Sequence, residues 1–471
     1  MAIEAQGSVS VSLRDPEGNP LGGPMYLPHS TTVQHLQQIV NSLLNNEEKL
    51  PYAFYVSDQE LVVPLGIFME KNNVSVEMVL PIVYQPQAVF RIRPISRCSA
   101  TLAVHKEAVV SVSFSPDGTQ LASGSGDTAV RLWDLNTQTP LYTCTGHKHW
   151  VLCVAWSPDG VHLVSGSKSG ELQSWDPLTG KPSGKPLMGH KNWISSIAWE
   201  PVHLSVPCRR FVTASEDGDA RIWDIYLRRC LICLSGHASG VTSVKWGGDG
   251  IIYTGSKDCT IKVWETSQGK LIRELKGHGH RINSLSLNTD YVLRTGAFDH
   301  NGKQYSSPEE MKKAALERYN KMKCSGPELL VSGSDDWTVF LWEPFVSKQP
   351  KTRMTGHQST VNQVCFSPDG RWIASASFDR SIKLWNGATG KFVATFRGHV
   401  GKVFQISWSS DSRLLLSGSE DSTLKVWDVK SHKLKQDLPG HADCVYVIDW
   451  SPDGEKVASG GKDTALKLWM G

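Results

Sequence analysis

From about residue 97 to the C-terminus, apolar and polar positions alternate in runs of five or six residues separated by tight turns. In "HWVLCVAWSPDGVHLVSGS" (149–167) one alternating run ends at "SPDG" and a second begins at once. Such alternation predicts strands with one buried face, and the tetrapeptide predicts the turn between them. Proline suits the first central turn position, Asp bonds back to its own backbone, and Gly accepts positive φ. "SPDG" returns at 115–118, 367–370 and 451–454. Each unit is an amphipathic meander that cannot bury its apolar face alone, so the units are expected to stack radially.

The period is marked by tryptophans at 133, 175, 223, 264, 342, 385, 427 and 469, with gaps of 42, 48, 41, 78, 43, 42 and 42 residues. A histidine precedes each: His105, His147, His190, His237, His278, His357, His399 and His441. Seven follow glycine, and Val104 takes that place in the first unit, where one strained turn is expected. Six residues before each tryptophan stands Asp127, Ser169, Asp217, Asp258, Asp336, Asp379, Asp421 or Asp463. Four residues earlier stands Ser123, Ser165, Thr213, Thr254, Ser332, Ser375, Ser417 or Ser459. The "GH…W" period of about 42 residues resembles WD40 repeats, each one four-stranded propeller blade. The resemblance implies a His–Ser/Thr–Asp–Trp hydrogen-bonded network in every blade: His105, Ser123, Asp127 and Trp133 in the first; His357, Ser375, Asp379 and Trp385 in the sixth; His399, Ser417, Asp421 and Trp427 in the seventh; His441, Ser459, Asp463 and Trp469 in the eighth. With Ser169, the second blade's network is expected to be weaker.

A Ser-His-Asp set also suits a hydrolase. Here the pattern recurs in eight units, with the Asp in seven of them, each copy with its tryptophan, and no "GxSxG" elbow accompanies it, so a structural role is expected and no enzyme. "CLIC" (230–233) lacks a second cysteine pair nearby, and its two thiols point to opposite faces of a strand, so no metal site is expected. The chain ends "LKLWMG" after a third strand, and "RCSATLAVH" (97–105) stands where an outer strand belongs, so residues near 97–103 are expected to complete the eighth blade and close the ring.

The fifth unit holds a long insert, about 296–328. Within it "SSPEEMKKAALERYNKMK" predicts a helix over 308–323, with Pro at its first turn and acids near its positive end. Met311, Ala315, Leu316, Tyr319 and Met322 form one stripe, suited equally to a lid on the blade or to a docking helix.

Residues 1–95 read differently. "SVSVSLRDPEGNP" and "GPMYLP" predict a hairpin. "TTVQHLQQIVNSLLNN" predicts a helix with a Thr31–Gln34 capping box and an apolar face of Val33, Leu36, Val40, Leu43 and Leu44. "YAFYV", "ELVV" and Met78–Tyr84 predict three more strands. The order suggests a β-grasp, ubiquitin-like domain. In "NNVSVEMVLPIVYQP" (72–86) Glu77 heads the last apolar run, where an acid is ordinarily just a solvated strand-edge residue.

Bulk properties narrow the classes. The chain has 471 residues, 40% hydrophobic and 20% charged, and no apolar run long enough to span a membrane. The N-terminus lacks a basic stretch followed by an apolar core, so no secretory signal is expected, and the ten cysteines suit reduced thiols. Residues 1–95 carry nine acids and five bases, whereas the whole chain is +3, so the remainder is basic.

An acidic β-grasp domain, "YQPQAVFRIRPISRCSATLA", eight WD40 repeats and the insert "LRTGAFDH" together resemble the Notchless family. The resemblance implies a mainly β chain: a small α+β ubiquitin-like domain over 1–90, a linker and closing strand over 91–104, and an eight-bladed WD40 β-propeller over 105–471. It implies a non-enzymatic assembly factor of the large (60S) ribosomal subunit in the nucleus and nucleolus, a monomer within a pre-60S particle of ribosomal RNA, ribosomal proteins and other factors. It further implies that the N-terminal domain engages the metal-ion-dependent adhesion site of midasin, a giant ATPase. The carboxylate that meets the partner's Mg²⁺ lies seven residues before the "Y-x-P-x-A-V-F" tyrosine, which gives Glu77 by counting back from Tyr84. The chain itself would hold no cofactor. A scaffold or adaptor in ubiquitin or Notch-type signalling is the alternative. On the propeller, the positions three residues after each histidine begin the inner strands and are candidate partner contacts. Trp150, Trp193, Arg281 and Lys402 stand out, with packing between blades the competing role for the tryptophans.

Overall fold

The computed structural model describes residues 8–16, 18–44, 46, 50–57, 59–72, 79–87, 92–299, 303, 305–323 and 326–471. It divides into two compact units, Met1–Arg91 and Ile92–Gly471.

The first unit runs β1 (Ser8–Arg14), β2 (Met25–Pro28), α1 (Val33–Leu43), β3 (Tyr52–Val56), β4 (Gln59–Glu60), α2 (Leu65–Asn72) and β5 (Leu80–Pro86). Its sheet has the order β2-β1-β5-β3-β4. β1 and β5 pair in parallel and the other neighbours antiparallel. Leu36 and Val40 of α1 pack on Val9, Val11, Leu13 and Ile82 of the sheet.

Four details differ from the sequence reading. The capping box lies one residue later: the Thr32 hydroxyl accepts from the His35 N–H at 3.4 Å, and His35 Nδ1 accepts from the Thr32 N–H at 3.3 Å. Leu43 and Leu44 are exposed, because the buried face ends with Val40 and Asn41. Only Gln59–Glu60 of the fourth strand pairs, and α2 follows, with Leu65, Phe68 and Met69 buried at helical spacing. β5 begins at Leu80 rather than at residue 78. Glu77 lies outside the described residues.

The second unit contains eight sheets. Seven have four antiparallel strands, and the second has three, Val151–Trp156, Leu163–Ser167 and Leu172–Trp175. Where its fourth strand belongs, Pro182 and Pro186 offer no N–H, and the segment makes only the isolated bridges Leu172↔Leu187 and Trp175↔Pro182. The inner strands pack side by side around a central axis, and Val445–Trp450 of the eighth sheet packs on Val109–Phe114 of the first. This is a closed eight-bladed propeller. β6 (Arg97–Leu102) is the outer strand of the eighth sheet, pairing Leu466↔Leu102 through Met470↔Arg97. Just ahead of it, Ile95 is fully buried in that blade's core, and the Ser96 N–H donates to the Met470 carbonyl at 2.9 Å.

The fifth-blade insert leaves after Leu287 and returns at Leu330, so it begins earlier than 296. It holds a helix the sequence reading missed, α3 (Asp290–Thr295), followed by α4 (Pro308–Lys323). α3 crosses one end of the central channel. Arg294 donates to Asp449 Oδ1 at 2.9 Å, and Asp449 Oδ2 accepts from the Phe114 N–H at 3.0 Å. The Tyr291 hydroxyl donates to the Pro452 carbonyl at 3.2 Å. One short helix from blade five therefore ties blades eight and one. α4 lies on blades three and four: Tyr319 stacks on His203 at 4.5 Å, and Lys323 pairs with Asp249 at 2.7 Å. Ala315 and Tyr319 are buried, whereas Leu316 is exposed. The helix packs as a lid.

Candidate functional site

The repeated network forms one end of the propeller. In seven blades His Nδ1 reaches an Asp carboxylate, at 3.1 Å in the first blade and between 2.8 and 2.9 Å in the others. His Nε2 meets the Ser or Thr hydroxyl at 2.6–2.8 Å in all eight. That hydroxyl accepts from the indole N–H at 2.7–2.9 Å. A buried indole N–H and imidazole each need a partner, and one hydroxyl serves both. The glycine before the histidine has a packing reason: a Cβ there would press on the blade's own tryptophan, at 3.3 Å for Gly146 and 2.9 Å for Gly189. Val104 is exposed and is not among the residues of positive φ, so no left-handed strain arises there.

Asp in this network also accepts the N–H of the residue after the histidine, as from Val400 to Asp421 at 2.9 Å. Burial alone would raise the Asp258 carboxyl, but hydrogen bonds from Thr260 and His237 hold it at about 2. Blade two breaks the pattern. Ser169 turns to Ser167 Oγ at 2.7 Å, and His147 Nδ1 is buried with no partner. Burial lowers the His147 imidazole to about 4, so it is neutral at pH 7.

Because histidine and aspartate loops meet, both sit at the same end of the ring, opposite the Ser-Pro-Asp-Gly turns and α3. Two rim residues per blade are joined there by a backbone bond: the N–H of the residue before the Asp (Ser169 in blade two) donates to the carbonyl three places past the histidine. Examples are Lys168 to Trp150, Glu216 to Trp193, Asp335 to Arg281, and Glu420 to Lys402. Trp150 is 41% exposed and Trp193 46%. Each also touches the preceding blade, Trp150 at Gly126 of blade one and Trp193 at Lys168 of blade two, so packing between blades and an exposed ring edge coexist. The Lys168 ammonium stands over both rings, 5.4 Å from Trp150 and 4.8 Å from Trp193. Nothing in the repeat pattern pointed to this shared cation.

Arg281 and Lys402 are placed differently. Arg281 pairs with Asp335 at 2.5 Å, and Lys402 pairs with Glu420 at 3.5 Å and lies over Phe378. Phe378, Phe404 and Tyr446 make edge-to-face contacts at 5.8 and 5.4 Å, a second aromatic group on blades six to eight that sequence reading missed. Its members lie in consecutive repeats, and the stacking of blade on blade brings them together. Among the described residues no cluster of three or more His, Cys, Asp or Glu side chains could hold a metal ion.

Known proteins share this architecture. The model of the WD domain, G-beta repeat matches residues 96–134, 138–176, 180–224, 228–265, 348–386, 390–428 and 432–470, and the NLE (NUC135) domain matches 9–69. The crystal structure of the computationally designed Ika8 protein superposes with a TM-score of 0.63 at 26% identity, covering 80% of this chain and 100% of that one. The Notchless protein homolog of Arabidopsis thaliana is 72% identical over 83% of this chain and 82% of its own length. Protein Notchless of Drosophila melanogaster is 53% identical over 77% and 75%. Ribosome assembly protein 4 of Saccharomyces cerevisiae is 46% identical over 80% and 78%. With these relatives spanning most of its length, an NLE domain at its start and WD40 repeats through the propeller, this chain belongs to the Notchless family.

Proposed function

We propose that this chain is a non-enzymatic assembly factor of the large ribosomal subunit, acting in the nucleus and nucleolus. The observation that carries the reading is the joining of an NLE unit to a WD40 propeller, shared across most of the length with two relatives named ribosome assembly protein 4. Propellers of this kind present rigid rims, and the basic balance of the propeller against the acidic first 95 residues suits an RNA-rich particle. The propeller docks on the pre-60S particle, and the N-terminal unit offers Glu77 to the metal-ion-dependent adhesion site of midasin. A carboxylate suits an open position on Mg²⁺, which prefers oxygen ligands. ATP hydrolysis by that partner then drives remodelling and release.

Two measurements test this. Tagged full-length chain should co-sediment with pre-60S particles on a gradient; absence from them, with recovery of a ubiquitin ligase, would replace the reading by that of an adaptor. Glu77→Ala and Glu77→Asp should both abolish Mg²⁺-dependent binding to the adhesion-site domain while leaving co-sedimentation intact. Undiminished binding by Glu77→Ala would remove the midasin contact.

A further inference from the structure

The propeller rim is not electrically uniform. On blades four, five, seven and eight a rim cation stands beside a carboxylate: Lys257–Glu216 at 2.5 Å, Arg281–Asp335 at 2.5 Å, Lys402–Glu420 at 3.5 Å, and Lys462–Asp443 at 3.1 Å. Lys168 of blade two has no ion pair among the described residues, nor have Lys148 and Lys191, the exposed lysines that follow the histidines of blades two and three. Blade two also lacks the aspartate that the other seven carry at this end. Its own acid, Glu171, is buried, and Glu107 stands at the patch's edge beside Trp150. The result is a local excess of positive charge with two exposed indoles in its middle. Since both rings face one ammonium, they lie no more than about 10 Å apart, a span that one or two stacked bases bridge.

We infer that the rim of blades two and three binds single-stranded RNA, with bases stacked on Trp150 and Trp193 and phosphates held by Lys148, Lys168 and Lys191. This rests on the assembly-factor reading and names the ligand of its docking face. Interleaved cations and flat aromatics match the two demands of an unpaired strand, charge along the backbone and π-faces on the bases. An acidic protein segment satisfies only the first, because a carboxylate gains nothing from an indole face. A duplex hides its bases from the rings. Lys168, now over both indoles, moves to a phosphate as a base enters between them.

The test uses full-length protein and a fluorescein-labelled twelve-nucleotide oligoadenylate, read by anisotropy at 50 and 200 mM salt. The same strand annealed to oligouridylate and a polyglutamate peptide serve as competitors. Trp150→Ala and Trp193→Ala should each weaken single-strand binding ~5- to 150-fold, with Trp→Phe at either site recovering part of the loss. Lys148→Ala and Lys191→Ala should each flatten the salt dependence by about 0.7 in log–log slope. Arg281→Ala and Lys402→Ala, whose cations are already paired, should change neither. Equal binding of duplex and single strand, or unchanged affinity in both tryptophan variants, overturns the proposal. Displacement by polyglutamate at concentrations where unlabelled RNA fails to compete assigns the patch to an acidic protein instead. Because the assay contains no particle, a negative result beside intact pre-60S co-sedimentation rejects this ligand and leaves the assembly role standing.

Discussion

Blades two and seven carry the same lock with one residue changed. In blade seven His399 holds Asp421 at 2.8 Å, and Asp421 also takes the Val400 N–H. In blade two Ser169 replaces the acid, and His147 Nδ1 has no partner. Yet Trp175 is as deeply buried as Trp427, and its N–H still meets Ser165 at 2.7 Å. The lock therefore has two separable halves. Tryptophan, hydroxyl and imidazole secure the blade's core, while aspartate ties down the loop that follows the histidine. Losing the second half spares the fold and leaves the rim of blade two more positive.

The largest expected effect leaves the two kinds of blade alike. Trp175→Ala and Trp385→Ala should each cost about 3–5 kcal/mol in urea denaturation, because both rings are buried whether or not an aspartate is present. A much smaller loss in blade two would mean that the halves are coupled.

Acid comes next. Buried His147 is neutral in the fold, so the unfolded chain takes up the extra proton below its ordinary pKa of 6.5. Stability is then full above pH 6.5 and falls as pH drops toward 4, by about 3 kcal/mol from this group. Urea midpoints measured from pH 7 to pH 4 should show this limb, and His147→Gln should shrink it.

Smaller again is the aspartate itself. Asp379→Ala should cost about 1–3 kcal/mol by leaving His357 Nδ1 and the Gln358 N–H without an acceptor, whereas Ser169→Ala should stay within about 0.5 kcal/mol. Smallest is a repair. Ser169→Asp combined with Glu171→Thr copies the Asp258 and Thr260 arrangement and should stabilise by about 1 kcal/mol, read as a higher urea midpoint.

The repeat was legible because each strand, turn and lock residue recurs at nearly fixed spacing, and α4 because proline and acids marked its start at residue 308. α2 was missed although Leu65, Phe68 and Met69 carry helical spacing, since the β-rich run before it suggested another strand. α3 is six residues long, too short for periodicity to show, and its hold on Asp449 spans 155 positions.

By itself, the sequence determined the period, the His–Ser/Thr–Asp–Trp sets and the absence of aspartate from blade two, since these are local choices repeated along the chain. Tertiary structure decided which side chains face one another across blades. It placed Lys168 over two tryptophans from different repeats, paired Arg281 and Lys402 with acids, and laid α3 across the channel. The reason is physical: folding each blade and stacking it on the next make neighbours of residues far apart in the chain, and charge pairing and ring stacking depend on distance in space.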